Sequence, residues 1–475
     1  MDIPFKVLEA IRDAGGVPLL VGGAVRDAAL SRRSKCLFEG PTKISLESLE
    51  KSKDLDFEVR GLSLLQLQDV LEKFGTVDLI GKAFGILKLH EMQNVDFSIP
   101  RRDNKSGVGH KGFETTLDPM MTLEDAAKRR DLTINSMALD LFTGELHDPF
   151  NGLRDLKNGQ LRATDPVTFL DDPLRALRVA QFISRFGFHV PNGSTLFVLC
   201  QQADLSQLPG ERLFAEFEKL LLGASPDMGL QFLADTGLLK FFPELEATRN
   251  TPQEREWHPE GSVLVHSIMA VRQARLLTDD LTVLWATLCH DLGKPSTTNF
   301  EDGKIRSRNH ENAGVEPATA LLTRLRAPNE LIARVTALVA HHLAPAHFVP
   351  DEAHKGKRTA AGAGAYRRLA RVLGQAGTNL ETLFLVSKAD HLGRTSPQAL
   401  LKQFPSGDEF LRRAREIKVE KSPEHDAVMG RHLVARGMKP GPEFGQILRK
   451  CRELQDETGL TDPDELLAKV LTKVL

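Results

Sequence analysis

Two carboxylates stand two residues apart at Asp54 and Asp56, in a segment that alternates polar and apolar side chains through Phe57, Glu58 and Val59. On a strand, positions i and i+2 share a face, so the pair would project side by side. Like charges so placed are costly together unless cations bridge them, and Mg²⁺ carrying triphosphate oxygens is a natural bridge. Two such ions can activate an attacking hydroxyl and stabilise a leaving pyrophosphate. Asp96, between apolar Val95 and Phe97, can add a third carboxylate. Upstream, Gly22-Gly23-Ala24-Val25-Arg26-Asp27 lies between an apolar run and a helical stretch. Paired glycines there let the backbone approach a phosphate, whose charge a helix N-terminus favours. Taken singly, Gly-Gly is usually a tight turn and D-x-D a solvated strand edge.

A second constellation is rich in histidine. His290-Asp291 ends an apolar stretch, with His266, His310, the pair His341-His342 and Asp390 spread around it. Histidine and carboxylate ligands separated by whole helices can converge on one or two divalent metals inside a bundle. A lone His-Asp is more often a surface pair, and the histidines have a competing reading as core or RNA-contacting residues.

These residues need elements to hold them. Val17–Val21 reads as a buried strand, and Asp54–Val59, Gly85–Leu89 and Asn94–Ile99 as further strands among helices, the rhythm of an α/β domain over 1–160. Arg101–Gly112 is basic, polar and glycine-bearing, and reads as a mobile loop. From about Leu170 the pattern is helical, with Asp172–Phe186 and Glu211–Leu222 each carrying an apolar face. Thr248–Gly261, polar with two prolines, reads as a linker. The stretches around Gly362, Gly364 and Pro405 read as loops, and the tail after about 420 as charged helix.

The chain's 475 residues suffice for roughly two to four domains. Its 62 Lys+Arg against 64 Asp+Glu announce no polyanion partner by net charge, yet leave room for a basic groove. Cys36, Cys200, Cys289 and Cys451 lie far apart and imply neither a disulfide framework nor a Cys-ligated zinc. The start is unlike a signal peptide and no apolar run approaches a membrane span, so a reducing cytoplasmic setting is expected.

In order, GGAVRD (22–27), DLD (54–56), RRDLTIN (129–135), DPFNGLRDL (148–156) and DDPLRALRVAQF (171–182) resemble the class II tRNA nucleotidyltransferases and their bacterial poly(A) polymerase relatives. Five motifs in fixed order are far more specific than one. The resemblance implies an α/β head with a polymerase-beta-like mixed sheet, followed by an all-α neck. It makes Asp54 and Asp56 the catalytic, Mg²⁺-binding carboxylates, with Asp96 beside them. Arg129, Arg130 and Asp131 match the ribose-contacting motif, and Asp148–Asp155 a hinge. Asp172 and Arg175 match the amino-acid template that reads the incoming base. Positions three apart on a helix share a face, so the carboxylate can accept from an exocyclic amino group while the guanidinium donates. Gly22, Gly23, Arg26, Asp27, Asn135 and Arg178 complete the nucleotide-binding set. The motif opens with Asp171-Asp172 where the family usually has Glu-Asp, and residues 32–53 look like an insertion.

Behind the neck, VHS (265–267), CHDLGKP (289–295), His341-His342 and KADHLGR (388–394) resemble the HD phosphohydrolase superfamily. On that resemblance His266, His290, Asp291 and Asp390 hold a metal, Ni²⁺, Mn²⁺ or a similar transition ion, or Mg²⁺. His310, His341 and His342 serve a second metal or a phosphate. The pairing of head and HD domain resembles the long bacterial CCA-adding enzymes, with tRNA, CTP and ATP as partners, and with 2′,3′-cyclic phosphodiesterase, 2′-nucleotidase and phosphatase activities in the HD half. The expected divisions are head 1–160, neck 161–247, HD domain 248–395, and a helical tail 396–475 contacting the tRNA body. The alternatives are a poly(A) polymerase or a partial CC- or A-adding enzyme, its C-terminal half a non-catalytic tRNA holder. The sequence leaves the oligomeric state undetermined.

Overall fold

Val17–Val21 (β1), Leu55–Arg60 (β2), Val77–Ile80 (β3), Ile86–Leu89 (β4) and Val95–Ser98 (β5) are strands of the computed structural model. The model describes residues 4–31, 54–80, 85–105, 113–349 and 359–472. The insertion 32–53, with Cys36, and residues 106–112 of the basic segment lie outside them. Leu19, Leu20, Phe57, Val59, Leu87, Leu89 and Phe97 are buried, as apolar side chains on the covered surface of a sheet should be. Arg101–Lys105 (β6) pairs antiparallel with Phe113–Leu117 (β7) as a separate two-stranded ribbon. Ala138–Leu139 (β8) and Leu146–His147 (β9) complete the main sheet, whose order is β3-β4-β5-β2-β1-β8-β9.

The expected loop at Arg101–Gly112 is therefore corrected over Arg101–Lys105, where backbone pairing with the Thr-rich partner outweighs the polar composition. Strand β3 went unforeseen because three of its four residues are exposed and it gives no core signal.

The remainder is mainly helical. Two compact units divide the chain, one comprising residues up to Leu213 with Phe232–Leu238, the other Phe214–Gln231 with Leu239 onward. In the second, the helices Val263–Leu277, Leu281–Cys289, Asn329–His341 and Leu380–Gly393 pack together, around the fully buried Trp285 and its neighbours. Three expectations are corrected there. Thr248–Gly261 is no free linker, because Thr248, Thr251 and Gln253 are buried and Val263 N–H donates to the Thr251 carbonyl. Pro405 starts the helix Pro405–Glu416, using the first-turn position where a missing N–H costs nothing. The helix Ala363–Gln375 begins directly after Gly362 and includes Gly364. The histidine-rich region also contains a hairpin, Thr298–Glu301 against Lys304–Ser307. The tail is helical as expected, over Gly430–Ala435, Pro442–Thr458 and Pro463–Leu471. Among the described residues Cys200, Cys289 and Cys451 are free, and no helix is long and apolar enough to cross a membrane.

Candidate functional sites

In the first unit, β2 and β5 run parallel with Asp56 directly opposite Asp96. Asp54 immediately precedes β2 on the same side as Asp56. Asp54 and Asp56 are exposed, and Lys88 Nζ lies 3.2 Å from Asp96 Oδ1. Although Asp56 reaches solvent, the protein around it raises its carboxyl above the usual value. Arg130 opposes this shift, and the like charges of Asp96 and Asp54 add to it. A carboxylate raised in this way beside two others belongs to a donor set that a divalent ion would relieve.

Gly22, at φ +75°, follows β1 where Val21 pairs with Asp56. A Cβ there would stand 3.7 Å from Asp56 Oδ2 and 3.1 Å from Arg130 Nη1, so the turn keeps open the space that a phosphate would need. The helix Gly23–Ser31 starts at the next residue. Behind the carboxylates lies a residue that the motifs did not reveal. Glu58, two positions past Asp56, is buried and takes Arg129 Nη2 at 3.1 Å, with Arg130 Nη2 and Arg60 Nη1 at 4.0 Å. Its signal was present in the strand alternation, which puts it on the face of Asp54 and Asp56. Burial and the neighbouring Arg129 bring the Arg130 guanidinium down to about 10.

A second network ties the head motifs together. Asp131 Oδ2 accepts from Arg178 Nε at 2.7 Å, and its Oδ1 accepts from Asn135 Nδ2 at 2.9 Å. Asn135 Oδ1 in turn accepts from Arg26 Nη1 at 2.6 Å. Arg26 donates to Asp27 and lies over the rings of Phe182 and Phe186. The interior opposes ionisation of Asp131, but Arg178 and the bonds from Asn135 and Leu132 N–H hold its carboxyl below its ordinary value.

The expected base-reading pair is arranged differently. Asp172 precedes Pro173, whose ring keeps the preceding residue extended (φ −115°, ψ 99°), and the helix runs only from Leu174 to Phe186. Asp172 and Arg175 therefore do not share a helical face. Asp172 Oδ2 accepts from Arg212 Nη2 at 2.9 Å, while Arg175 donates to the carbonyls of Thr168 (3.0 Å) and Arg129 (2.5 Å). Arg212, forty residues on, is the partner that local spacing could not reveal.

In the second unit, His266 lies on the helix Val263–Leu277, capped by Ser262, and Asp390 on Leu380–Gly393. His290-Asp291 follows the helix Leu281–Cys289, buried from Thr282 onward. Two glycines set the approach. A Cβ on Gly293 would fall 2.0 Å from the His310 carbonyl, and one on Gly393 2.7 Å from Ala270 Cα. Only glycine lets the elements carrying these ligands come so near.

Two triads of buried ligand atoms result, His266–His290–Asp390 and Asp291–His310–His342. His290, His310 and His342 each turn Nδ1 to the carbonyl three residues earlier, of Thr287, Ser307 and Val339, at 2.7–2.8 Å. Their Nε2 atoms are thereby presented inward, and the pairs His266–His290 and His310–His342 bring Nε2 atoms to 3.3 Å. Converging imidazole nitrogens with their other nitrogen anchored suit a metal. Burial pushes His342 down to about 3, so it is the neutral, ligating form. Both Asp291 oxygens are sealed from solvent without a well-aligned hydrogen bond, although Lys294 Nζ lies 2.7 Å from one. Burial opposes ionisation of Asp291 and Asp390, yet His290 and Lys294 beside the first, and Arg394 and His266 beside the second, hold both carboxyls well below the ordinary range.

His341, half-buried on the same helix as Val339, is in neither triad. His258 and Glu260, from the segment expected to be a linker, are at the site instead. Glu260 Oε1 takes His266 Nδ1 at 2.8 Å and its Oε2 accepts from Thr395. A polar, proline-bearing stretch outside the histidine motifs gave no signal for them.

The sheet with its carboxylates at the ends of β2 and β5 defines a nucleotidyltransferase head, and the histidine bundle an HD-type domain. Residues 19–162 match the poly A polymerase head domain, 195–248 the family described as "Probable RNA and SrmB- binding site of polymerase A", and 263–365 the HD domain. The fold is shared with the Bacillus stearothermophilus CCA-adding enzyme in complex with CTP (21% identity, 100% of this chain and 98% of that one, TM-score 0.64). It is also shared with the Thermotoga maritima CCA-adding enzyme complexed with tRNA (20%, 100% and 97%, 0.55). A third similar structure is a CCA-adding enzyme with ATP (21%, 100% and 97%, 0.58). The chain belongs to the nucleotidyltransferases that join a poly A polymerase head to an HD domain.

Proposed function

We propose that this protein adds C, C and A to the 3′ end of tRNA from CTP and ATP, releasing pyrophosphate. The observation that carries the proposal is the juxtaposition of Asp54, Asp56 and Asp96 at the N-terminal ends of the adjacent strands β2 and β5, beside the open turn at Gly22. The full-length likeness to CCA-adding enzymes solved with CTP, ATP and tRNA supports it. Asp54 and Asp56, with Asp96 beside them, would hold Mg²⁺, which when bound supplies charge neutralisation and activation of the attacking 3′-hydroxyl. Gly22-Gly23 and the helix start receive the triphosphate, with Arg129 and Arg130 held near it by Glu58. Asp131, Asn135, Arg178, Arg26 and Asp27 act as one hydrogen-bonded brace beneath the nucleotide. Asp172 offers an acceptor to the exocyclic amino group that cytosine and adenine share, and Arg212 and Arg175 position and complement it. We assign the head to 1–160, the neck to 161–247, the HD domain to 248–395 and a tRNA-body contact to the tail 396–475.

The HD half we read as a phosphohydrolase acting on 2′,3′-cyclic and terminal phosphates, which would regenerate the hydroxyl that the head extends. His266, His290, Asp291 and Asp390, with His310 and His342, would hold Ni²⁺, Mn²⁺ or Mg²⁺, which when bound lowers the pKa of a water for attack on phosphorus. Lys294 and Arg394 fix the two aspartates.

Two assays test the two readings. tRNAs ending before CCA, after CC or after CCA are incubated with CTP and ATP, separately and together, and the 3′ ends sequenced. CCA restored and then halted is expected; tails of A, or CC alone, would replace the reading by a poly(A) or partial enzyme. Intact 2′,3′-cyclic nucleotides with every divalent metal would refute the hydrolase.

A further inference from the structure

An open cleft of about 480 Å³ in the second unit lies between the segment Glu254–Trp257 and the hairpin strand Lys304–Ser307 with Arg308. Its walls are unusual for a surface depression. Trp257 is 46% exposed, whereas the other tryptophan, Trp285, is fully buried. Lys304, Arg306 and Arg308 line the same cleft. They pair at the rim with Glu256 at 2.9 Å, Asp302 at 3.9 Å and Glu301 at 3.1 Å. All three pairs are solvent-exposed, the kind that contributes little and can be exchanged for a phosphate. Phe300 lies opposite Ile305 in the hairpin register and extends the apolar strip.

Both walls end at the metal-ligand cluster. Trp257 is followed by His258, whose Nδ1 is 2.9 Å from the Glu260 that holds His266. Ser307, at the other wall, takes His310 Nδ1 on its carbonyl. The Trp257 wall is itself fixed, since Trp257 N–H donates to Glu254 O and the Glu254 carboxylate accepts from Ile305 N. An aromatic face with cations beside it, on the two segments that run into the metal-ligand cluster, has the chemistry of a nucleotide platform.

We propose that this cleft is the base-binding subsite of the HD centre, with a ribonucleotide base stacked on Trp257 and phosphate oxygens met by Lys304, Arg306 and Arg308. The inference rests on the phosphohydrolase reading above and names the substrate's recognition element. The chain has two tryptophans and Trp285 is sealed, so a contact quencher reaches Trp257 alone, and Trp257→Phe supplies the Trp285 background. Full-length protein is titrated with adenosine 2′-monophosphate, with ribose 5-phosphate as the base-free control. The nucleotide should quench exposed-tryptophan emission saturably and ribose 5-phosphate should not. Trp257→Ala should weaken nucleotide binding, followed by calorimetry, about tenfold or more, and Trp257→Phe, which keeps a ring, should restore most of it. In hydrolysis, Trp257→Ala should raise KM with kcat nearly unchanged. Unquenched Trp257 at saturating nucleotide, or an unaltered KM in Trp257→Ala, overturns the subsite while leaving the hydrolase standing. Saturable quenching in a protein that hydrolyses nothing establishes the subsite and removes the hydrolase.

Discussion

The two candidate centres gather carboxylates by opposite means. The head places Asp54, Asp56 and Asp96 on neighbouring parallel strands, open to solvent, with the organising groups beneath: Glu58 and the arginines it holds. The HD half seals its ligands inside a helical bundle, with His290, His310 and His342 each locked by the carbonyl three residues earlier and His266 by Glu260. An open site suits a large polymer end and a nucleotide arriving together, as the proposed addition requires. A closed cluster suits a resident metal whose ligands must not relax between turnovers. Solvent exposure at the first centre and burial at the second thus follow from what each must exchange.

The largest expected effect separates the two centres. Asp54→Ala with Asp56→Ala should lower nucleotide addition by about 10³-fold or more, since it removes the groups that would hold Mg²⁺, while 2′,3′-cyclic phosphate hydrolysis stays within about twofold. Loss of both activities would show that the centres are not independent. The converse, His290→Ala with Asp291→Ala, should remove bound transition metal, measured by elemental analysis, and cut hydrolysis by about 10²-fold or more. Addition of CCA should persist. Retained metal in this variant would overturn the ligand assignment.

How far the sequence disclosed this contrast depends on whether a group acts locally or across the fold. The carboxylate strand was legible because alternation with period two puts Asp54 and Asp56 on one face whatever surrounds them. So were His266, His290, Asp291 and Asp390, each within a short motif, His266 and Asp390 on helices and His290-Asp291 in the turn that follows one. The supporting partners were not. Glu58 was visible only as one more polar residue in an alternating strand, and Arg212 meets Asp172 across forty residues. Glu260 and His258 sat in a stretch whose prolines and polarity mimic a linker, and their burial is decided by the bundle that closes over them. The reading of Asp172 and Arg175 as helical neighbours failed because Pro173 extends the residue before it, a local rule that outranked the spacing argument.

Those missed partners give the next tests. Glu260→Gln should weaken HD-site metal affinity about 10–100-fold, the usual range for a group orienting a metal-bound histidine, with CCA addition unchanged. Equilibrium dialysis against a chelator series measures it. An unchanged affinity would make Glu260 a loop anchor to Thr395 alone. Arg212→Ala should act on the head only, by freeing Asp172 from its charged partner. A hydrogen bond to a charged group contributes about 1.5–3 kcal/mol, so the ratio of CTP to ATP use should shift about tenfold or more, with fold stability little altered. Identical nucleotide choice in this variant would remove Arg212 from base recognition.

The smallest effect concerns Asp56 and has a definite sign. Its carboxyl is raised by the protein packed around it, with Arg130 partly offsetting the rise and Asp96 and Asp54 adding to it. An acid whose folded pKa lies above its unfolded value favours the folded state when protonated. Without Mg²⁺, the cost of its ionised form is therefore present above the folded pKa and relieved as pH falls towards the unfolded one. Metal-free protein should show a slightly smaller rise in Tm on acidification through this window in Asp56→Asn than in the parent, because the amide has no proton to gain. At neutral pH, Asp56→Asn should melt slightly higher than the parent in chelator, and Mg²⁺ should stabilise the parent more than the variant. No comparable relief is expected at the HD centre, where Asp291 and Asp390 are held below their ordinary values and protonation removes a favourable interaction. Identical melting curves for parent and Asp56→Asn across pH, with and without Mg²⁺, would break the link between the crowded carboxylates and a cation.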